Sequence, residues 1–177
     1  MHCQSSIFYR CLALEAIKRN ITKDQKAVID LSSSNYKIAN SPDLYSENVT
    51  KATSIISAIP EVRKNLYHLQ RDFLNKHKRV VMDGRDIGTV IAPDADLKIY
   101  ITADIDVRAK RRYDQLTANG KVTSLADILH NLEERDKRDR ERQVAPLAKA
   151  DDAILIDSTL LFPEELLQKL LLEIDVI

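Results

Sequence analysis

Three short apolar runs alternate with stretches of helical periodicity, and this alternation restricts the chain to few folds. The runs are Val80–Met82, Leu97–Ile101 and Ala153–Ile156. Each is aliphatic or β-branched, as a buried strand would be, and each is bounded by charged or turn residues. Strands separated by helices form βα units, so the pattern predicts an α/β fold with a parallel sheet flanked by helices.

Apolar residues at helical spacing fill the segments around these runs. Helices are predicted over residues 1–20, over about 60–75, from Ile105 to Asn119, from near Ser124 and from near Pro163. Residues 32–48 are rich in serine and asparagine, with few apolar positions to bury. They are predicted to form a surface loop or a small insert.

Charge and composition exclude several classes of function. Acidic and basic side chains balance at 27 each, so the chain lacks the net basic surface of a sequence-independent nucleic-acid binder. No apolar run approaches the roughly 18 to 20 residues of a membrane span. Cys3 and Cys11 are too few for a disulfide framework, and no histidine or cysteine has metal-ligand spacing. We expect a cytoplasmic protein with no nucleic-acid partner, no membrane partner and no metal-binding residues.

One loop concentrates polar residues directly after the first apolar run. Residues 83–89 read DGRDIGT and hold two of the three glycines of the chain beside two carboxylates and an arginine. Ligands of parallel sheets bind beyond the carboxyl ends of the strands. The position and the composition together predict a binding loop.

A second candidate is the charged run EERDKRDRER at residues 133–142. One interpretation is a solvated helix face with i,i+4 ion pairs. The other is a mobile arm whose arginines close over phosphate groups, because guanidinium groups bind phosphate oxygens bidentately. The charge pattern alone leaves both interpretations open.

Five motifs give the chain a specific resemblance to a known family. They are SSIFYRCLAL from Ser5, DGRDIGTVIAPDADLKIYITA at 83–103, RRYDQL at 111–116, RDKRDRERQVAPL at 135–147 and DDAILIDST at 151–159. Together they resemble bacterial cytidylate kinase over nearly the whole chain. The resemblance implies a P-loop nucleoside monophosphate kinase fold in a single kinase domain, residues 1–177. Residues 32–48 would be a reduced substrate-side insert, and about 133–147 a lid.

The resemblance also implies an activity, which is transfer of the γ-phosphoryl group of ATP to CMP or dCMP with Mg²⁺, by a monomer. The residues implied to bind the monophosphate are Ser5, Arg10, Ser54, Arg63, Arg85, Asp86, Arg135, Asp139 and Arg142. Those implied to act in catalysis are Arg85, Asp86, Arg138 and Arg140, of which Arg138 and Arg140 belong to the lid.

The residue types suit this chemistry. A carboxylate such as Asp86 can accept a hydrogen bond from the exocyclic amine of cytosine, whereas uracil would present a carbonyl oxygen to it. We therefore expect Asp86 to help set cytosine specificity. Arg10, Arg85 and Arg142 would clamp the α-phosphate of the acceptor.

The chain departs from the family at its beginning. The family has a first strand and a loop of the form G-x-x-x-x-G-K-[ST] about 20 residues before the serine that matches Ser5. This sequence contains no such loop, so we expect an N-terminally truncated kinase with little activity of its own. The alternative is a non-catalytic protein that binds CMP or another partner. RNA binding through the arginine-rich run is disfavoured by its interleaved acids.

Overall fold

The computed structural model of the chain describes residues 1–34, 36–38 and 41–174. Helices and short parallel strands alternate along the chain, which confirms the predicted α/β class. The chain divides into two compact units. The first is Met1–Ala92 with Arg138–Ala148, and the second is Pro93–Lys137 with Lys149–Ile177.

The first unit is built from two short strands and the helices that pack on them. In chain order its elements are β1 (His2–Gln4), α1 (Ser6–Lys18), α2 (Gln25–Ser33), a 3₁₀ turn (Pro42–Tyr45), α3 (Glu47–Ile56), α4 (Pro60–Lys76), β2 (Val81–Asp83) and a π-helical turn (Ile87–Ile91). Pro60 occupies the first turn of α4, as predicted, because a residue there needs no N–H donor.

The N-terminal residues form a strand instead of the predicted start of a helix. β1 pairs in parallel with β2, and Cys3 lies opposite Met82. The first helix begins only at Ser6, so the prediction of one helix over residues 1–20 is wrong for the residues before it. A three-residue strand has no readable periodicity, and this one depends on pairing with a strand that is distant in sequence.

Helices α1 to α4 bury one contiguous core. Helix α1 packs on α3, and α2 packs on α4. The predicted apolar face of α1 is confirmed, because Leu12, Ala13 and Ala16 have no exposed surface. The core cluster consists of Cys3, Phe8, Tyr9, Leu12, Ala13, Ala16, Val28, Leu31, Val49, Ile56, Val62 and Leu66. Each large aliphatic side chain buried in this way contributes about 1.5–3 kcal/mol to folding.

Most described residues between 32 and 48 lie at the surface, as their composition predicts, but Ser32 and Leu44 are buried. Leu44 is 1% exposed, and its carbonyl oxygen accepts a hydrogen bond from Arg10 Nη1 at 2.7 Å. The segment therefore contributes a core residue, which its serine and asparagine content does not reveal. Asn35, Ala39 and Asn40 lie outside the described residues.

The second unit contains a second parallel pair of strands and the helices of the C-terminal half. Its elements are β3 (Ile99–Thr102), α5 (Ile105–Ala118), α6 (Leu125–Glu141), β4 (Ile154–Asp157) and α7 (Pro163–Ile174), with the residues of α6 from Arg138 onward assigned to the first unit. Helix α5 ends as predicted, at Asn119 followed by Gly120 with a φ of 72°. The Ser124 hydroxyl caps α6 by accepting a hydrogen bond from the Asp127 N–H at 3.0 Å.

The strands are less buried than the apolar runs predict. Val81 is 65% exposed, Ile101 48% and Leu155 58%. Ile101 lies opposite Ile156, and Leu155 lies opposite Tyr100, so Ile101 and Leu155 point to opposite faces of the β3–β4 pair. Each strand in the described part of the chain has one partner strand and is therefore an edge strand. The expectation of buried strands is wrong at these positions because neither face of the pair is fully covered.

Apolar side chains are also exposed around helix α7. Leu160 and Phe162, which precede the helix, are 90% and 71% exposed, and Leu167 and Leu172 within it are 54% and 67% exposed. Exposed apolar side chains in such number promote association in water.

We expect the isolated chain to be poorly soluble and to self-associate as its concentration rises, because this apolar surface forms intermolecular contacts. Replacing Leu160 and Phe162 together by serine should raise the soluble fraction and lower the mass measured by size-exclusion chromatography with light scattering. Lys121→Ser, at an exposed polar position, is the matched control. A wild-type chain that is monomeric and melts cooperatively would contradict this expectation.

Candidate functional site

The carboxyl ends of β1 and β2 meet at one edge of their sheet, and the chain continues from both into predicted site residues. Ser5 follows β1, and residues 83–89 begin at the end of β2. The Ser5 N–H donates to the Asp83 carbonyl at 2.9 Å, which extends the pairing beyond β1. Residues 83–89 therefore lie at the edge where ligands of parallel α/β sheets bind, as their position after an apolar run predicted.

Gly84 allows Ser5 to approach this loop closely. A Cβ atom at position 84 would lie 2.2 Å from Ser5 Oγ and 2.9 Å from the Ile87 side chain. Ser5 stands at the N-terminus of α1 and is 5% exposed, but its hydroxyl makes no capping hydrogen bond. Capping is therefore not the role of this hydroxyl, which lies against the binding loop instead.

Asp86 opens the π-helical turn that follows the loop. The Ile91 N–H donates to the Asp86 carbonyl at 3.2 Å, and the Ala92 N–H donates to the Ile87 carbonyl at 2.7 Å. Both bonds span five residues, which is the spacing of a π-helix, a rare element that is frequent at functional sites. Asp86 is 5% exposed at the start of this turn.

Arg63 on α4 forms a buried ion pair with Asp86. Its Nη2 donates to Asp86 Oδ2, its Nη1 donates to the Ser57 carbonyl at 3.0 Å, and both side chains of the pair are 6% exposed. The guanidinium group also lies over the Tyr9 ring, 5.5 Å from its centroid. Burial raises the pKa of Tyr9, and the neighbouring Arg63 partly opposes that rise.

Three further charged side chains extend this pair. Arg142 Nη1 lies 3.4 Å from Asp139 Oδ1, and Arg142 Nη2 lies 4.0 Å from Asp86 Oδ1. Arg85 Nε lies 3.1 Å from Asp139 Oδ2. We call the five residues the arginine–aspartate cluster: Arg63, Arg85, Asp86, Asp139 and Arg142.

The cluster carries more positive than negative charge. Its three guanidinium groups face two carboxylates, and the Arg142 side chain is only 4% exposed. Burial and the neighbouring Arg63 lower the pKa of Arg142, whereas Asp139 and Asp86 oppose that fall. Guanidinium groups nevertheless stay protonated in proteins, so the cluster has one uncompensated positive charge and favours an anion.

Two other predicted residues of the first unit are held by hydrogen bonds. Arg138 on α6 donates to Ser54 Oγ on α3, and Ser54 is 8% exposed. Arg10 Nη1 donates to the Leu44 carbonyl at 2.7 Å and to Thr50 Oγ1 at 3.1 Å. Arg10 therefore ties α1 to the residues that precede and begin α3.

The remaining predicted arginines lie on α6 apart from these contacts. Arg140 is exposed, and Arg135 belongs to the second unit. In that unit Asp136 is 4% exposed and pairs with Arg108 at 2.6 Å. Asp139 is also buried, so one side of the charged run packs against protein. The interpretation of this run as a wholly solvated helix face is wrong.

A cavity of about 180 Å³ opens beside the cluster. Its lining includes Tyr9, Arg63, Tyr67, His68, Asp86 and Ala145. Pockets for whole small-molecule ligands usually measure about 300–1,000 Å³, so this cavity has room for part of a nucleotide. A larger cavity of about 360 Å³ between α1 and α3 is lined by none of the predicted site residues.

Sequence reasoning missed three groups of this site, which are the Tyr9 ring and the backbone carbonyls of Ser57 and Ala145. Tyr9 lies on the buried face of α1, where it is 5% exposed, and its ring also contacts Arg63. Its position beside Arg10 in the SSIFYR motif was the available signal. No sequence signal marks the two carbonyls, because every residue has a backbone carbonyl group.

Within residues 1–34, 36–38 and 41–174, no group of three histidine, cysteine, aspartate or glutamate side chains is arranged to hold a metal ion. In the same part of the chain, no helix has the length and apolar content needed to cross a membrane.

Comparison with known proteins gives a consistent result. The chain matches the cytidylate kinase family over residues 1–175. It is 48% identical over 168 residues to the cytidylate kinase of Rickettsia canadensis (strain McKiel), a match that covers 94% of this chain and 77% of the relative. The identity is 48% over 167 residues with that of Rickettsia rickettsii (strain Sheila Smith), covering 94% and 76%. It is 47% over 171 residues with that of Rickettsia bellii (strain OSU 85-389), covering 96% and 78%.

Small parallel sheets flanked by helices are consistent with the nucleoside monophosphate kinase fold, and the relatives named above are phosphotransferases of that type. The family match extends over nearly all of the sequence. The chain belongs to the cytidylate kinase family, which confirms the resemblance that its motifs carry.

We expect Gly84→Ala to lower the free energy of unfolding by about 1–3 kcal/mol, the usual cost of forcing an extra methyl group into a packed site. Urea denaturation followed by circular dichroism measures this change. The double variant Ser5→Ala/Gly84→Ala should recover most of the loss, because the hydroxyl oxygen 2.2 Å from the new Cβ is removed. Equal stability of wild type and Gly84→Ala would contradict the close approach.

Proposed function

We propose that this chain transfers the γ-phosphoryl group of ATP to CMP or dCMP, and that its arginine–aspartate cluster binds the monophosphate. The observation that carries the proposal is a buried cluster with one positive charge in excess and a carboxylate oxygen available to a base. Both features are what a cytosine monophosphate needs, because it combines an amine donor with a phosphate anion.

The base would be read by Asp86. Its Oδ2 accepts from Arg63, whereas its Oδ1 lies 4.0 Å from Arg142 Nη2, beyond hydrogen-bond distance. Oδ1 can therefore accept a hydrogen bond from the exocyclic amine of cytosine. Arg63 and Ser54 would donate to the acceptor atoms of the ring.

The phosphate would be held by arginines. Arg142 Nη2 makes no hydrogen bond to any described residue, and Arg85 is 37% exposed, so both have donors to offer to a ligand. We assign the α-phosphate to Arg10, Arg85 and Arg142. The further substrate contacts that the resemblance implies are Ser5, Arg135 and Asp139.

Catalysis in such an enzyme is mostly positioning and cancellation of charge. We propose residues 133–147 as the lid, with Arg138 and Arg140 closing on the triphosphate while Arg85 and Asp86 hold the acceptor. Mg²⁺ would neutralise charge on the ATP phosphates, which usually supply most of its ligands along with water. Asp86 and Asp139 are paired with arginines and do not fit as metal ligands, so no step is assigned to a metal held by them.

We propose that the site belongs to a single kinase domain over residues 1–177. Residues 32–48 would be its substrate-side insert. The functional unit that we propose is a monomer. Cys3 and Cys11 are buried thiols outside any disulfide, which suits the cytoplasm.

We expect Asp86→Asn to reduce the preference for CMP over UMP at least tenfold, because an amide can donate to the uracil carbonyl that a carboxylate repels. Isothermal titration with each nucleotide measures the preference. Asp83→Asn is the matched control, since Asp83 lies in the same loop and its side chain is 55% exposed. An unchanged preference in a folded Asp86→Asn chain would contradict the role of Asp86.

A non-catalytic CMP-binding protein is the second candidate, because the arginine–aspartate cluster offers contacts to a monophosphate that do not require phosphoryl transfer. Incubation with ATP, Mg²⁺ and CMP, followed by chromatography of the nucleotides, separates the two. CDP formation would support the kinase, and CMP binding without CDP would support the second candidate. Absence of CMP binding by a folded chain would contradict both.

A further inference from the structure

Ala145 has an uncommon backbone conformation beside the cluster. Its φ is 51°, and the other residue except glycine with a positive φ in the described part of the chain is Asn20, at 57°. Asparagine enters the left-handed region comparatively easily, whereas alanine is disfavoured there because its Cβ approaches the following carbonyl oxygen. The conformation of Ala145 is therefore strained.

The next residue, Pro146, adds to this strain. A proline ring restricts the residue before it to extended conformations with negative φ. Strained residues persist only where the surrounding structure holds them, and they concentrate at functional sites.

The turn that contains Ala145 is held by two hydrogen bonds to residues at the end of α6 and directly after it. The Ala145 carbonyl accepts from Arg142 Nε at 2.6 Å, and the Leu147 N–H donates to the Asp139 carbonyl at 2.7 Å. Asp139 on α6 and Arg142 directly after it are both members of the arginine–aspartate cluster. The left-handed turn directs the Ala145 carbonyl back onto Arg142.

This bond fixes the direction of the Arg142 side chain. With Nε bound to Ala145 and Nη1 3.4 Å from Asp139, the rigid guanidinium plane has one remaining end, Nη2. Nη2 is buried, makes no hydrogen bond to a described residue and lies 4.0 Å from Asp86 Oδ1. A buried donor without a partner is costly unless a ligand supplies the acceptor.

We propose that Ala145 is a positioning residue, whose strained left-handed turn holds Arg142 so that Nη2 is presented to the phosphate of the monophosphate substrate. The proposal rests on the proposed function for the identity of that ligand. Ala145 also lines the cavity that contains Asp86 and Arg63, so the turn forms part of the wall of the site.

Three substitutions separate the backbone conformation from side-chain size. Ala145→Val adds a β-branched side chain that strongly disfavours positive φ. Ala145→Asn adds similar volume in a residue that tolerates positive φ, and Ala145→Gly removes the conformational penalty. We expect the dissociation constant for CMP to rise at least tenfold in Ala145→Val, by no more than about threefold in Ala145→Asn, and to change less than twofold in Ala145→Gly.

Cytidine lacks the phosphate, so its dissociation constant serves as the control. A purely structural role of Ala145 would weaken the binding of CMP and cytidine equally, whereas a positioning role would weaken that of CMP alone. The affinity for cytidine should change less than twofold in all three variants, because the proposed contact is to phosphate. In an Arg142→Lys background, Ala145→Val should cause less than a twofold further change in CMP affinity. Equal losses for CMP and cytidine, or additive losses in the Arg142→Lys background, would overturn the proposal.

The wild-type chain gives a second test that does not depend on a variant folding. The Arg142 Nε–Hε signal, identified by its loss in Arg142→Lys, should be protected from solvent exchange before CMP is added, because the bond to Ala145 precedes the ligand. An unprotected signal would overturn the proposal. If wild type does not bind CMP but the signal is protected, the proposed function fails while the hydrogen bond to Ala145 stands. If wild type binds CMP and Ala145→Val binds it equally well, the positioning role fails alone.

Discussion

The buried pairing of Arg63 with Asp86 is the interaction on which the rest of the candidate site depends. It joins α4 to the loop after β2 within the core of the first unit. Breaking a buried pair by removing one partner costs about 3–5 kcal/mol, because the other charge stays buried and uncompensated. Asp86 also separates two guanidinium groups, those of Arg63 and Arg142, which would otherwise repel each other. This carboxylate therefore allows the guanidinium groups of the cluster to lie close together.

The backbone places that carboxylate through three local features. Parallel pairing of β1 with β2 brings the residues after both strands to one edge. Gly84 then lets the loop lie against Ser5, and the π-helical turn that Asp86 opens holds its carboxylate inside the unit. At the other end of the cluster, the left-handed Ala145 turns its carbonyl onto Arg142. Local backbone geometry thus sets the positions of the charged groups of the arginine–aspartate cluster, and the helical core shields them from water.

Strong local signals predicted α4 to α7: for example, Pro60 opens α4, and Gly120 follows the end of α5. Helices α2 and α3 were not predicted. The strand β1 could not be predicted, since three residues carry no periodicity and their conformation depends on β2. The exposure of the strands also escaped prediction, because an apolar run shows what could be buried and not what covers it. In the site, charged side chains could be proposed from motifs, whereas the burial of Asp139 within a continuous charged run depends on tertiary packing. The carbonyl contacts of Ser57 and Ala145 follow from backbone geometry, for which side-chain identity gives no signal.

The central claim is that the arginine–aspartate cluster binds a cytosine monophosphate, and a crystal structure of the chain with CMP tests it most directly. We expect the exocyclic amine of cytosine within hydrogen-bond distance of Asp86 Oδ1, and the α-phosphate within hydrogen-bond distance of Arg142 Nη2. The pair of Arg63 with Asp86 should persist in the complex. CMP bound elsewhere, or bound with its phosphate toward Asp86 and its base away from it, would contradict this claim.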